Sequence, residues 1–186
     1  LVPYLLRSNS SGNFRVPDIK KFCLSDQGIL WISGMHDLTQ VAFKNHLYHL
    51  TQLDEGESPA YAICNTPEGY HWTGYYNGVI KITDSRYEKV GYLAPNGQVV
   101  PQQVAFCPSA IFSIFYDTQG KIWIGTREHG LFVRTREGMT QFMHNPADKY
   151  SLPYNKVYDI VADRHGRIWI GTYGGGLTLV QPSTTG

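Results

Sequence analysis

The stretch Val157–Val180, VYDIVADRHGRIWIGTYGGGLTLV, reads as three short strands joined by two tight connections. Its pattern occurs four times. With Gly166 as origin, Trp169 lies three residues on, and apolar Val157, Ile160 and Val161 lie nine, six and five residues back. Gly28, Gly69 and Gly120 are the other origins, followed at the same distance by Trp31, Trp72 and Trp123. Nine residues back stand Ile19, Ala60 and Ile111, and six back stand Phe22, Ile63 and Ile114. All 4 tryptophans of the chain occupy this one position.

The origins lie 41, 51 and 46 residues apart (28 to 69, 69 to 120, 120 to 166). Repeats of short strands with a period of about 40 to 50 residues are the signature of propeller blades. A four-stranded antiparallel blade cannot bury both faces alone, so neighbouring blades stack around a channel. The tryptophan is then expected on the second strand of each blade, filling the space between sheets, and the glycine in the turn before it, where positive φ is easiest. The expected fold is all-β: a β-propeller arc of about four blades' worth of four-stranded antiparallel sheets.

Within the arc, 1–17 is expected to hold an outer strand and loop of a preceding blade. Blades follow at 18–58, 59–109 and 110–155, and 156–186 forms an incomplete one. The second blade has the longest outer part, where Asn96-Gly97 between apolar runs signals a hairpin. The arc is expected to be a piece of a larger ring. Closure of a small four-bladed ring by the end strands stays open as the alternative.

A formal net charge of +1 over 186 residues gives no bias toward nucleic acid, and no apolar run reaches the ~18 residues of a membrane helix. Cys23 and Cys64 share one repeat position, five residues before their glycines, and read as small apolar residues of the innermost strands. Neither a disulfide nor a metal site nor a cofactor is expected. His46 and His49, three apart on a strand, face opposite ways. Asp26, Asp117 and Asp163 sit two or three residues before their glycines and read as turn caps rather than as a catalytic pair.

The blocks DTQGKIWIGTREHGLFV and DRHGRIWIGTYGGGLTLV closely resemble the two-component-regulator propeller repeat, and NPADKYSLPYNKVYDIVAD resembles its inter-blade sequence. The likeness is strong over 110–180 and looser over 18–83. Trp31-Ile-Ser-Gly34 and Trp72-Thr-Gly74 depart from the Trp-Ile-Gly-Thr seen at 123–126 and 169–172. The resemblance implies the periplasmic sensor of a Bacteroidetes hybrid two-component system. In that family two seven-bladed propellers precede a β-sandwich, a membrane helix, a histidine kinase and a response regulator. It further implies non-catalytic binding of a glycan-derived oligosaccharide, control of carbohydrate-utilisation genes, and a homodimeric receptor. This part would touch no nucleic acid, and would meet the membrane only through segments of the parent chain.

The rim that carries the loops between second and third strands is the expected site. His36, Tyr75, Tyr76, Asn77, Arg127, Glu128, His129 and Tyr173 lie in those loops, and Tyr154 and Asn155 end a crossover on the same rim. Rings stack on sugar faces, and the polar groups bond hydroxyls. Two other functions compete. One is a protein-interaction or dimerisation platform. The other is a sialidase- or lyase-like enzyme, since Ser25-Asp26-Gln27-Gly28-Ile29-Leu30-Trp31 resembles the Asp-box turn of sialidases. The arginine cluster that would hold a sialic carboxylate is not evident.

Overall fold

The computed structural model describes residues 19–25, 28–34, 38–44, 47–54 and 58–180. The strands are β1 (Lys21–Leu24), β2 (Leu30–Ser33), β3 (Leu38–Lys44) and β4 (Leu47–Asp54) in the first sheet. The second holds β5 (Ala60–Asn65), β6 (His71–Tyr75), β7 (Ile80–Thr83), β8 (Lys89–Leu93) and β9 (Val99–Val100). The third holds β10 (Ile111–Tyr116), β11 (Ile122–Thr126), β12 (Leu131–Arg134) and β13 (Met139–Phe142), and the fourth β14 (Val157–Ala162), β15 (Ile168–Thr172) and β16 (Gly176–Val180).

Each sheet runs in chain order, antiparallel throughout, and the described residues contain no helix. They form a propeller arc, not a closed ring. The extra strand of the second blade is the expected hairpin, with Gly97 at φ 82° and its amide donating to the Ala94 carbonyl.

The repeat glycines turn as expected. Gly28, Gly69, Gly120 and Gly166 have φ between 74° and 86°, and each amide donates to the carbonyl three residues back. That residue is Ser25, Thr66, Asp117 or Asp163. Asp117 Oδ1 accepts from the Gln119 and Lys121 amides while Oδ2 accepts from the Trp123 indole at 2.8 Å. Asp163 repeats the arrangement with His165, Arg167 and Trp169. The equivalent in the first blade is therefore Ser25, while Asp26 lies outside the described residues.

Apolar clusters fill the spaces between blades. Trp31 and Leu38 meet Ile63; Trp72, Ile80 and Ile82 meet Ile111 and Ile114; Trp123, Leu131 and Val133 meet Val157, Ile160 and Ile170. The glycine of Trp-x-Gly explains how close the blades come. A Cβ on Gly125 would stand 2.7 Å from Val157 Cγ1, so the inner strand of the fourth blade packs directly on the backbone of β11. Trp31, Trp72 and Trp123 are 1%, 6% and 7% exposed, whereas Trp169 is only half-buried. Cys23, Cys64 and Cys107 form no disulfide.

A candidate ligand cleft at the propeller rim

Each of the second, third and fourth inner strands has one irregular residue near its start. The pairing of β5 with β6 slips between Ala60 and Ala62, that of β10 with β11 between Ile111 and Ser113, and that of β14 with β15 between Val157 and Asp159. The extra residues are Tyr61, Phe112 and Tyr158. A bulge bends the strand and re-aims the side chain it carries, and here it aims three rings along one rim.

The rings run on from blade to blade. Tyr61 meets Phe112 at 5.5 Å between centroids, Phe112 stacks on Tyr158 at 5.1 Å, and Tyr158 meets Tyr173 at 6.0 Å. Tyr76 joins the row beside Tyr61 at 5.7 Å and accepts a 2.7 Å hydrogen bond on its hydroxyl from Arg127. Cations sit on ring faces: Lys20 at 5.5 Å over Tyr61, and Lys156 at 4.3 Å over Tyr173 and 5.6 Å over Tyr158. Such cation–ring contacts contribute about 0.5–1 kcal/mol at exposed sites.

Between the third and fourth blades the rim opens into a cleft of about 460 Å³, lined by Arg127, Glu128, His144, Tyr154, Asn155, Lys156 and Tyr173. Its frame is backbone. The Arg127 and Tyr173 amides donate to the Ala110 and Lys156 carbonyls, and the Gly130 amide donates to the Asn155 carbonyl. Gly130, at φ 70°, has no room for a side chain, because a Cβ would fall 2.2 Å from the Phe142 carbonyl oxygen. Thr126 fixes the same loop, donating to the Gly130 carbonyl and accepting from the His129 amide. On the crossover, the Asn155 side-chain oxygen accepts from the His144 amide, and His144 Nδ1 donates to the Leu152 carbonyl.

Five of the residues expected from sequence thus line one cleft: Arg127, Glu128, Tyr154, Asn155 and Tyr173. Tyr76 adjoins it through Arg127. Asn77 is a turn residue, its side chain accepting from the Val79 amide. His129 stands beside the cleft, its carbonyl accepting from Gln141. Tyr75 is a correction. It is 7% exposed and packs with Ala60 and Val79, because it occupies the last position of β6, where the third and fourth blades bury Thr126 and Thr172. His36 lies outside the described residues. Sequence reasoning missed Lys20, Tyr61, Phe112 and Tyr158, which share the position eight residues before the repeat glycine, and also missed His144 and Lys156.

On the channel side, Lys21 of the first blade forms an ion pair with Asp159 of the fourth, and the Ser113 hydroxyl donates to the same carboxylate at 3.3 Å. A cavity of about 590 Å³ lies along these inner strands. Burial pushes the Cys64 thiol up to about 12, helped by nearby Cys23, and a buried thiol of that kind is inert. Among the described residues no group of His, Cys, Asp and Glu could hold a metal ion.

Residues 106–128 and 151–174 match the model of the two component regulator propeller family. Those two segments are similar to that family's repeat. They span the inner strands, the turns, the second strands and the start of the rim loops of the third and fourth blades, which border the cleft. No curated protein matches the chain. Among solved structures it is similar to the extracellular domain of the hybrid two component system BT4673 from B. thetaiotaomicron, with 18% identity, a TM-score of 0.71 and 96% of this chain covered. A second structure, of the extracellular domain of the BT4673 one component system, gives 20% identity, a TM-score of 0.67 and 93% coverage. PorZ, a surface component of the type-IX secretion system of Porphyromonas gingivalis, gives 16% identity, a TM-score of 0.66 and 88% coverage. The chain spans 22% and 23% of the two BT4673 chains and 26% of PorZ. At these identities the likeness is one of fold.

Proposed function

We propose that this arc belongs to the extracytoplasmic sensor of a hybrid two-component regulator and binds a glycan-derived oligosaccharide, without cutting it, in the rim cleft between the third and fourth blades. The observation that carries the proposal is the row of rings ending in that cleft, on the blades that bear the family repeats. Tyr154 and Tyr173, 48% and 60% exposed, offer faces for sugar rings, while Arg127, Glu128 and Lys156 offer partners for hydroxyls. A non-catalytic role fits the donor set. Glycoside hydrolysis uses two carboxyl groups about 5–9.5 Å apart, and Glu128 is the one carboxylate among the described residues lining the cleft. The ligand would shift the population of a signalling geometry in a homodimeric parent receptor, whose kinase would control carbohydrate-utilisation genes.

The test is a thermal-shift screen of the intact protein against oligosaccharides of defined linkage, with each mixture assayed for new reducing ends. A raised melting temperature with intact sugar supports the sensor, because a ligand that binds only the folded state stabilises it. Cleaved sugar would show an enzyme instead. No shift with any sugar would favour a protein-interaction platform.

A further inference from the structure

We infer that the ligand taken by this cleft is acidic, an oligosaccharide bearing a carboxylate or a sulfate ester; the inference rests on the oligosaccharide reading above and names the class within it. The repeat itself supplies the argument, because it separates side chains the fold needs from side chains it does not. Three blades make the same backbone bond between rim loop and crossover. The Tyr76, Arg127 and Tyr173 amides donate to the carbonyls of Pro59, Ala110 and Lys156 at 2.8, 2.9 and 2.9 Å. Proline, alanine and lysine serve equally at the acceptor position, so this backbone bond makes no use of the lysine side chain. Tyrosine serves twice at the donor position, so the fold does not require the arginine either.

Yet the two cations at these interchangeable positions converge on one cleft. The Lys156 ammonium lies over the rings of Tyr173 and Tyr158 and has no carboxylate partner among the described residues. Arg127 is held by the Tyr76 hydroxyl and reaches Glu128 at 3.5 Å, with both side chains well exposed. A solvent-facing pair of this kind is weak, so the guanidinium stays available. Its planar fork suits the two oxygens of a carboxylate or sulfate, and an ammonium suits either as a point charge. Among the described residues lining it, Glu128 is the one acid against Arg127 and Lys156, so the cleft is locally positive in a chain whose formal net charge is only +1.

Calorimetric titration of the intact protein decides the matter with three probes of equal length: a neutral glucose tetrasaccharide, an oligogalacturonate and a sulfated galactan oligosaccharide. At low salt one of the acidic probes is expected to bind at least about tenfold tighter than the neutral one, and the advantage should shrink in about 0.3 M salt, where the screening length falls below about 6 Å. Lys156→Ala should lower acidic binding toward the neutral level. This variant keeps the fold, because Ala110 already fills the equivalent position. Lys149→Ala, whose ammonium lies over Tyr150 outside the cleft, should change nothing. Equal or tighter neutral binding overturns the acidic assignment and leaves the sensor standing, as does acidic binding that Lys156→Ala does not weaken. Failure of all three probes, and of the wider sugar screen, brings down both.

Discussion

The first and the third blades hold the same tryptophan in different ways. In the third, the Trp123 indole donates to Asp117, a 6% exposed carboxylate that also ties two turn amides. In the first, Ser25 stands at the aspartate position, its hydroxyl accepting from the Ile29 amide, and among the described residues Trp31 Nε1 has no partner. Trp31 is nevertheless the better buried, at 1%. It lies against rings of the next blade, stacked on Tyr87 at 4.8 Å and tilted on His71 at 4.6 Å. Apolar contact between blades therefore sets where the tryptophan goes, and the aspartate adds to that. The family pattern is legible where the turn has its aspartate and faint where ring stacking has taken over.

Substitutions can break this contrast. The largest effect is expected for Asp117→Ala, which leaves a buried indole N–H and two turn amides without their acceptor. A loss of about 3 kcal/mol in urea unfolding is expected, against less than about 1 kcal/mol for Ser25→Ala. Equal losses would mean that the aspartate does not hold the tryptophan. Next comes Gly125→Ala, whose new methyl collides with Val157 and should cost about 2 kcal/mol by overpacking. Gly171→Ala, with its nearest neighbour at 3.8 Å, should stay within about 0.5 kcal/mol. Ser25→Asp sharpens the contrast from the other side. Supplying an acceptor to Trp31 should raise stability by up to about 1 kcal/mol, and a loss would show that the first blade's turn cannot adopt the arrangement of the third.

The smallest effect is in acid. The Trp169 indole, followed by the Arg167 side chain and the turn amides, holds the Asp163 carboxyl well below the usual carboxylate range. A group depressed on folding contributes stability that is fully present above its unfolded value near 3.9 and is lost as pH falls through the folded one. Asp163→Asn should therefore flatten the acid limb of the stability profile below about pH 4 and leave its neutral region parallel to that of the parent.

The sheets were legible because Gly-x-x-Trp and the apolar positions before it are dictated by turn geometry and inter-blade packing. The site was only partly so. Tyr75 looked like a rim aromatic because the second blade writes Trp-Thr-Gly-Tyr where the third and fourth write Trp-Ile-Gly-Thr, and that register puts it on the buried threonine position. Tyr61, Phe112 and Tyr158 were overlooked because period-two alternation assumes a regular pleat, and the bulge that turns them outward is a backbone feature. Their common offset from the glycine was nonetheless present. Lys156 had no such signal, since Pro59 and Ala110 at its position share nothing with it but the carbonyl.

A structure of the intact protein with a binding oligosaccharide tests the central claim most directly. Density for an uncut sugar against Tyr154 and Tyr173, with an acidic group within hydrogen-bond reach of Arg127 or Lys156, is the predicted result. A sugar bound elsewhere with this cleft empty would contradict it.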